Sequence, residues 1–294
     1  MHDSKSPLDL PVPRNKTALM QHLQLLVGRE GYRNWCGGMI SREKFPAFAE
    51  KMSRRYPITR STPGRSYDRI KHGKAVVHFV AFPVEEKIQW WLLSDGGTGG
   101  LADARMEDSN VAKDAMAAES HITFGDYVLM YASKRERREI KGNAKEPAKI
   151  FYKDLSTWTW KLRGTVMKEL RASIEECCSR LQLGVDGDSN QQGRGLRGLL
   201  STLRRRPLFS GIRKQVRDLH DEAVQSWRSH HNAWRTKNPS LSAGAATTKD
   251  ADIHLAGKFF PTLGKLPVYD NPPRAMRDLC STALPSDSIG RGKQ

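Results

Sequence analysis

Residues 75–94 read AVVHFVAFPVEEKIQWWLLS, and this stretch decides the fold. Ala75–Phe82 and Lys87–Ser94 are rich in β-branched and aromatic residues, and the short Pro83-Val84-Glu85-Glu86 link between them predicts a hairpin. The apolar positions run almost continuously instead of alternating, which predicts that both faces of the pair are covered and that helices pack on the sheet. Downstream, Ile122–Phe124, Tyr127–Ala132, Ile150–Tyr152 and Thr157–Leu162 repeat the strand character. In the last of these, Trp158, Trp160 and Leu162 alternate with Thr157, Thr159 and Lys161, so one face is expected to be buried and the other wet.

Helices are expected on both sides of this block. Ala18, Leu19, His22, Leu23, Leu26 and Val27 recur at helical spacing up to Gly28, and Phe45, Phe48, Ala49 and Met52 form one face of a second helix before Pro57. A short helix capped by Ser109 and carrying Val111, Ala115 and Met116 is predicted after the Gly96–Gly100 loop. Beyond Gly164 the rhythm of Val166, Met167, Leu170, Ile174, Cys177 and Leu181 is helical. The expected class is α+β: a mixed, mainly antiparallel sheet over about residues 74–163, flanked by N-terminal helices and followed by a helical C-terminal part. The expected organisation is a disordered lead-in over 1–14, an α+β domain over 15–183, and a basic helical region over 194–237 packed on it. A linker over 238–256, a short ordered return over 257–280 and a disordered tail over 281–294 complete it.

Charge supplies the functional signal. The chain has 294 residues and a formal net charge of +17. Between residues 191 and 238, eleven Lys and Arg face three carboxylates, a net of +8, and from 194 to 217 eight cations occur with no carboxylate at all. Leu196, Leu199, Leu200 and Leu203, then Phe209, Ile212, Val216, Leu219, Ala223 and Trp227, give these helices an apolar stripe, so the cations form a fixed rim and not a free tail. Such a rim suits a phosphate backbone. The residues expected to contact phosphates are Arg194, Arg197, Arg204, Arg205, Arg206, Arg213, Lys214 and Arg217, joined by Arg54, Arg55 and Arg60 from a second basic stretch over 53–74. A helix-turn-helix over 194–234 is a weaker reading, since the turn at Pro207–Gly211 lacks the small residues of that motif.

Catalytic signals are sparse. The Gly96–Gly100 loop fits no nucleotide motif, because a Walker loop needs Lys and Ser/Thr after the last Gly and here Leu101-Ala102 follow. His78 and His121 are the residue types for metal-independent cleavage of RNA beside an arginine, and Asp126 with Glu139 and Lys141 is the best carboxylate set for a cation. The four cysteines, Cys36, Cys177, Cys178 and Cys280, show no metal-ligand spacing, and His230-His231 point about 100° apart on a helix, so no metal and no cofactor is expected. Trp90, Trp91, Trp158 and Trp160 are read as core and not as a base-stacking platform. No apolar run approaches the roughly 20 residues of a membrane span, and a cytoplasmic location is expected.

WWLLSDGGTGG (90–100), HITFGDYVLMYA (121–132), DLSTWTWKLRG (154–164) and RPLFSG (206–211) together resemble uncharacterised accessory proteins of bacterial plasmids and integrating conjugative elements. The resemblance spans most of residues 15–280 and brings no catalytic residue with it. It implies a bacterial cytosolic setting and a role in the maintenance, replication, transfer or defence of mobile DNA. The leading expectation is therefore a nucleic-acid-binding protein with DNA or RNA as its partner. Two rivals stand beside it: a nuclease or RNA-processing enzyme, and a subunit of a nucleoprotein complex whose other subunits recognise the nucleic acid.

Overall fold

The computed structural model describes residues 6–133, 135–140, 149–154, 156–181, 195–239 and 263–280. The predicted hairpin is present as Val77–Val84 (β2) and Lys87–Ser94 (β3), antiparallel with Val77 opposite Ser94 and Val84 opposite Lys87. Hydropathy misses its next neighbour, Asn34–Ser41 (β1), which pairs with β3 along its whole length. The order is β2-β3-β1-β4, with Lys113–Asp114 (β4) at the edge. Gly37 makes the β1–β3 approach possible, because a Cβ there would stand 2.7 Å from the Trp90 carbonyl oxygen. The helix expected around 109–116 does not form: a 3-10 turn over Ser109–Val111 is followed by β4, and Lys113 and Asp114 pair with Trp35 and Asn34 of β1. The backbone there is committed to the sheet edge.

The architecture is α+β and its ladders are mainly antiparallel. Ile122–Phe124 (β5), Tyr127–Ala132 (β6) and Thr157–Leu162 (β9) make a three-stranded sheet, and Arg135–Ile140 (β7) with Lys149–Asp154 (β8) a two-stranded ribbon. The charged run over residues 134–149, which lacks strand character in the sequence, is thus partly strand. Among the described residues, no helix is long and apolar enough to cross a membrane.

The chain divides into two compact units. The first takes the described residues of Met1–Ile122, Met130–Trp158 and Leu266–Gln294. One sheet face there carries Val77, Phe79, Ala81, Ile88 and Leu92, and Phe45, Ala49 and Met52 of Phe45–Arg55 (α2) belong to the same core. Met276 and Leu279, on a 3-10 turn, join it fully buried. The lead-in expected to be disordered is built in from Pro7 onward: Val12 is fully buried, its amide donates to Arg274 O (2.8 Å), and Met276 N donates to Leu10 O (2.9 Å). Lys16–Gly28 (α1) is capped by Asn15, whose side chain accepts from Ala18 N (2.9 Å). Thr62–His72 (α3) buries none of its residues and leaves Tyr67 and Ile70 exposed. Polar contacts made by Arg65 and Arg69 hold it to the unit.

The second unit takes the described residues of Thr123–Leu129 and Thr159–Lys265. Gly164–Ser179 (α4), placed by sequence with the α+β domain, here joins Leu196–Arg204 (α5) and Ser210–Lys237 (α6). Arg171 of α4 forks onto Glu222 of α6 (2.8 and 2.9 Å), and Glu175 accepts from Ser226 and pairs with His230, both at 2.7 Å. Thr159, expected on a wet face, is buried because the N-terminus of α6 lies on it: its hydroxyl meets Ser210 Oγ at 2.8 Å and accepts from Gly211 N at 3.0 Å. A Cβ on Gly211 would stand 2.5 Å from Trp160 O and 2.8 Å from Lys161 Cγ. Gly211→Ala is therefore expected to destabilise the second unit by about 2 kcal/mol, the scale of overpacking a tight site. An unchanged thermal midpoint would show that α6 does not dock this closely.

Residues 184–193 between the α+β domain and the basic helical region, residues 240–256 of the linker and the tail over 281–294 lie outside the described residues.

Candidate nucleic-acid interface

The apolar stripe of α5 sets the direction of its cations. Leu196, Leu200 and Leu203 are buried, which leaves Arg197, Ser201 and Arg204 in a line at i, i+4 and i+7 along the flank, with Arg205 exposed at the C-cap. On α6, Ile212, Val216, Leu219, Ala223 and Trp227 are buried, and Arg213, Lys214 and Arg217 lie on the flank of the first two turns. Arg197, Arg204, Arg205, Arg213, Lys214 and Arg217 face no carboxylate at ion-pair distance among the described residues. Arg204 also has both Nε and Nη2 buried without a hydrogen-bond partner. The N-cap of α6, Phe209, offers no side-chain acceptor, and the first turn is capped instead by Thr159, whose hydroxyl accepts from Gly211 N, so the cations of the flank and not the helix end supply the field.

Three of the expected phosphate contacts are already committed elsewhere. Arg206 pairs with Asp126 (2.8 Å) and lies over the Tyr127 ring, 5.9 Å from its centroid. Arg55 binds Asp108 through Nη1 (3.1 Å) and Glu107 through Nη2, and Arg60 pairs with Asp68 at 3.1 Å. Arg54 is exposed and free of such a partner, and Arg194 lies outside the described residues. The carboxylates that neutralise Arg206 and Arg55 sit far away in sequence, which is why local charge counting overvalues these two; Asp68 is only eight residues from Arg60.

The catalytic candidates are not brought together. His78 sits on β2, on the sheet face opposite the Phe79 core, whereas His121 follows Ser120, whose carbonyl accepts from Trp35 Nε1 (2.8 Å) on β1. β3 stands between those two strands. Asp126 is occupied by Arg206; Lys141 lies outside the described residues, and among them no group of three or more His, Cys, Asp or Glu could hold a metal ion. His78 does have an arginine beside it: Arg65 Nη1 lies 3.2 Å from Nδ1 and 3.3 Å from Nε2. The Tyr32 ring packs on His78 at a centroid distance of 4.6 Å. Sequence reasoning passed over His22 as one more position on the inner face of α1. Its Nε2 lies 3.4 Å from the Tyr269 hydroxyl, and burial brings its pKa down to about 4. Burial first, then the charge of Arg65 and the neighbouring His22, bring His78 down to about 3.

The remaining motifs have structural work. In the Gly-rich loop, Thr98 N donates to Gly73 O (3.0 Å), Gly99 N to Asp103 Oδ2 (2.7 Å) and Leu101 N to Ser94 Oγ (3.0 Å), so these amides are not held open for a phosphate. Trp91, Trp158 and Trp160 are buried, and Trp90 packs on Phe48. The long α6 buries one face over about four turns, from Ile212 through Val216, Leu219 and Ala223 to Trp227, the behaviour of a packing helix. His230 turns to Glu175 while His231 stacks between Trp227 and Trp234. Burial raises all four free thiols, Cys36 to about 12. Compared with protein-family models, with curated proteins and with solved structures, the chain matches none of them.

Proposed function

We propose that the chain binds nucleic acid, gripping phosphates with the cationic flank formed by α5 and the first two turns of α6. One contrast carries this reading. Arg55, Arg60, Arg69, Arg105, Arg171 and Arg206 each face a carboxylate, while among the described residues the six cations of the α5–α6 flank face none. Unneutralised cations fixed on packed helices repel one another, and a polyanion relieves that repulsion while releasing its own counterions. The bacterial cytosolic setting and the role on mobile DNA implied by the resemblance belong to the same proposal.

Titration of labelled duplex DNA, single-stranded DNA and RNA with the full chain tests it. Binding is expected at low salt, with log K falling against log salt at a slope of about −4 to −5 for five or six phosphate contacts. Absence of binding at 50 mM salt to all of these probes, or a slope near zero, would remove the proposal.

A further inference from the structure

His22 from α1, Tyr32 just after it, Arg65 from α3, His78 from β2 and Tyr269 from the returning C-terminal segment meet within the first unit. Tyr269 reaches His22 across 247 positions of sequence, with its hydroxyl 3.4 Å from Nε2. Arg65 Nη2 donates to Ile58 O (2.7 Å), which anchors the guanidinium while Nη1 lies against the His78 ring. Among the described residues no carboxylate pairs with Arg65, although Asp95 lies nearby and is taken by Arg69 (3.0 Å) and by Val76 N (2.7 Å). His22 Nδ1 and Arg65 Nε are buried without partners. Glu30 is exposed and acts on Arg65, Tyr32 and Tyr269 only through its field.

We propose that these five side chains form a binding site for a single phosphoryl group, of the kind a nucleotide or one phosphodiester of a nucleic acid presents. The chemistry of the cluster is one-sided: a fixed guanidinium, two imidazoles and two phenols supply donors, and among the described residues no carboxylate pairs with them, Asp95 being held by Arg69 and Val76 N and Glu30 being exposed. Both phenols are raised by burial, so at neutral pH they keep their protons and serve as donors, not as nucleophiles. An entering anion stabilises the protonated imidazoles and so raises both pKa values, with protons taken up at His22 and His78 in the acid range; at neutral pH each ring stays neutral and offers one N–H donor. The five residues belong to the first unit and α5 and α6 to the second, so no residue is shared between this site and the cationic flank.

The experiment is an NMR titration of the His22 and His78 ring resonances of the full chain with pH. It is run with no addition and with inorganic phosphate, a nucleoside 5′-monophosphate or a dinucleoside monophosphate at millimolar concentration. At least one probe is expected to raise both imidazole pKa values by about one unit or more, equivalent to a tenfold tighter hold on the protonated form. Preference for the monophosphate assigns the site to nucleotides or strand ends, and preference for the dinucleoside monophosphate to an internal phosphodiester. Arg65→Gln is expected to weaken the preferred probe at least tenfold, with Arg65→Lys between the two. Failure of every probe to move either ring in the unaltered protein would overturn the proposal, as would shifts that survive unchanged in a folded Arg65→Gln protein.

Discussion

Replacing Arg204, Arg205, Arg213, Lys214 and Arg217 together by Gln is expected to weaken nucleic-acid binding roughly a hundredfold to a thousandfold at 0.1 M salt. The salt slope on duplex DNA should flatten by about 4.5, since each lost phosphate contact removes about 0.9 from it. Gln is shorter than the replaced side chains but matches their helix propensity, the flank positions lie outside the buried apolar stripe, and Arg204 gives up two buried, unpartnered nitrogens, so the thermal midpoint should hold. Arg171→Gln is the control. It also removes a partly exposed arginine from this helical unit, but one whose guanidinium is bound bidentately by Glu222. A side chain occupied in this way has little to offer a phosphate, so its loss should change affinity less than twofold. Equal losses from the paired and unpaired arginines would mean that net charge alone drives binding; no loss in the five-site protein would mean that phosphates bind elsewhere.

The distinction between paired and unpaired cations marks where the sequence stops being legible. The number and clustering of arginines can be read directly, and so can the leucine stripe that fixes α5. Partners cannot. Arg206 meets Asp126 across 80 positions and Arg55 meets Asp108 across 53, distances at which no local pattern operates. The same limit hides His22, whose inward position on α1 is visible in the helical rhythm while Tyr269 arrives from the other end of the chain. Strand legibility followed side-chain content. β2 and β3 carry β-branched and aromatic residues and announce themselves, whereas Gly37 and Gly38 dilute the signal of β1, although it is β1 that sits inside the sheet. Thr159 failed for a tertiary reason, because a helix N-terminus uses its hydroxyl as an acceptor and so covers a face that alternation alone marks as wet.

Acidification should expose the energetic consequence of holding His22 and His78 neutral. Burial lowers His22 to about 4, and burial together with Arg65 and His22 lowers His78 to about 3, against an ordinary value of 6.5. Well above pH 6.5 neither the folded nor the unfolded chain protonates these rings, and they contribute no pH dependence. Between pH 6.5 and about 4 the unfolded chain takes up protons that the folded unit refuses, so stability falls as pH falls. At pH 5 the combined effect is about 3 kcal/mol once partial exposure to solvent is allowed for. Urea unfolding at pH 7.5 and pH 5.0 should show this loss in the unaltered protein and much less of it in His22→Gln/His78→Gln. The quantity compared is the pH-dependent change within each protein, so any constant cost of the substitutions cancels, as do protons bound by the other histidines and the carboxylates. An equal loss in both proteins would place these two imidazoles in contact with water, and would remove the reason to expect proton uptake when an anion meets Arg65.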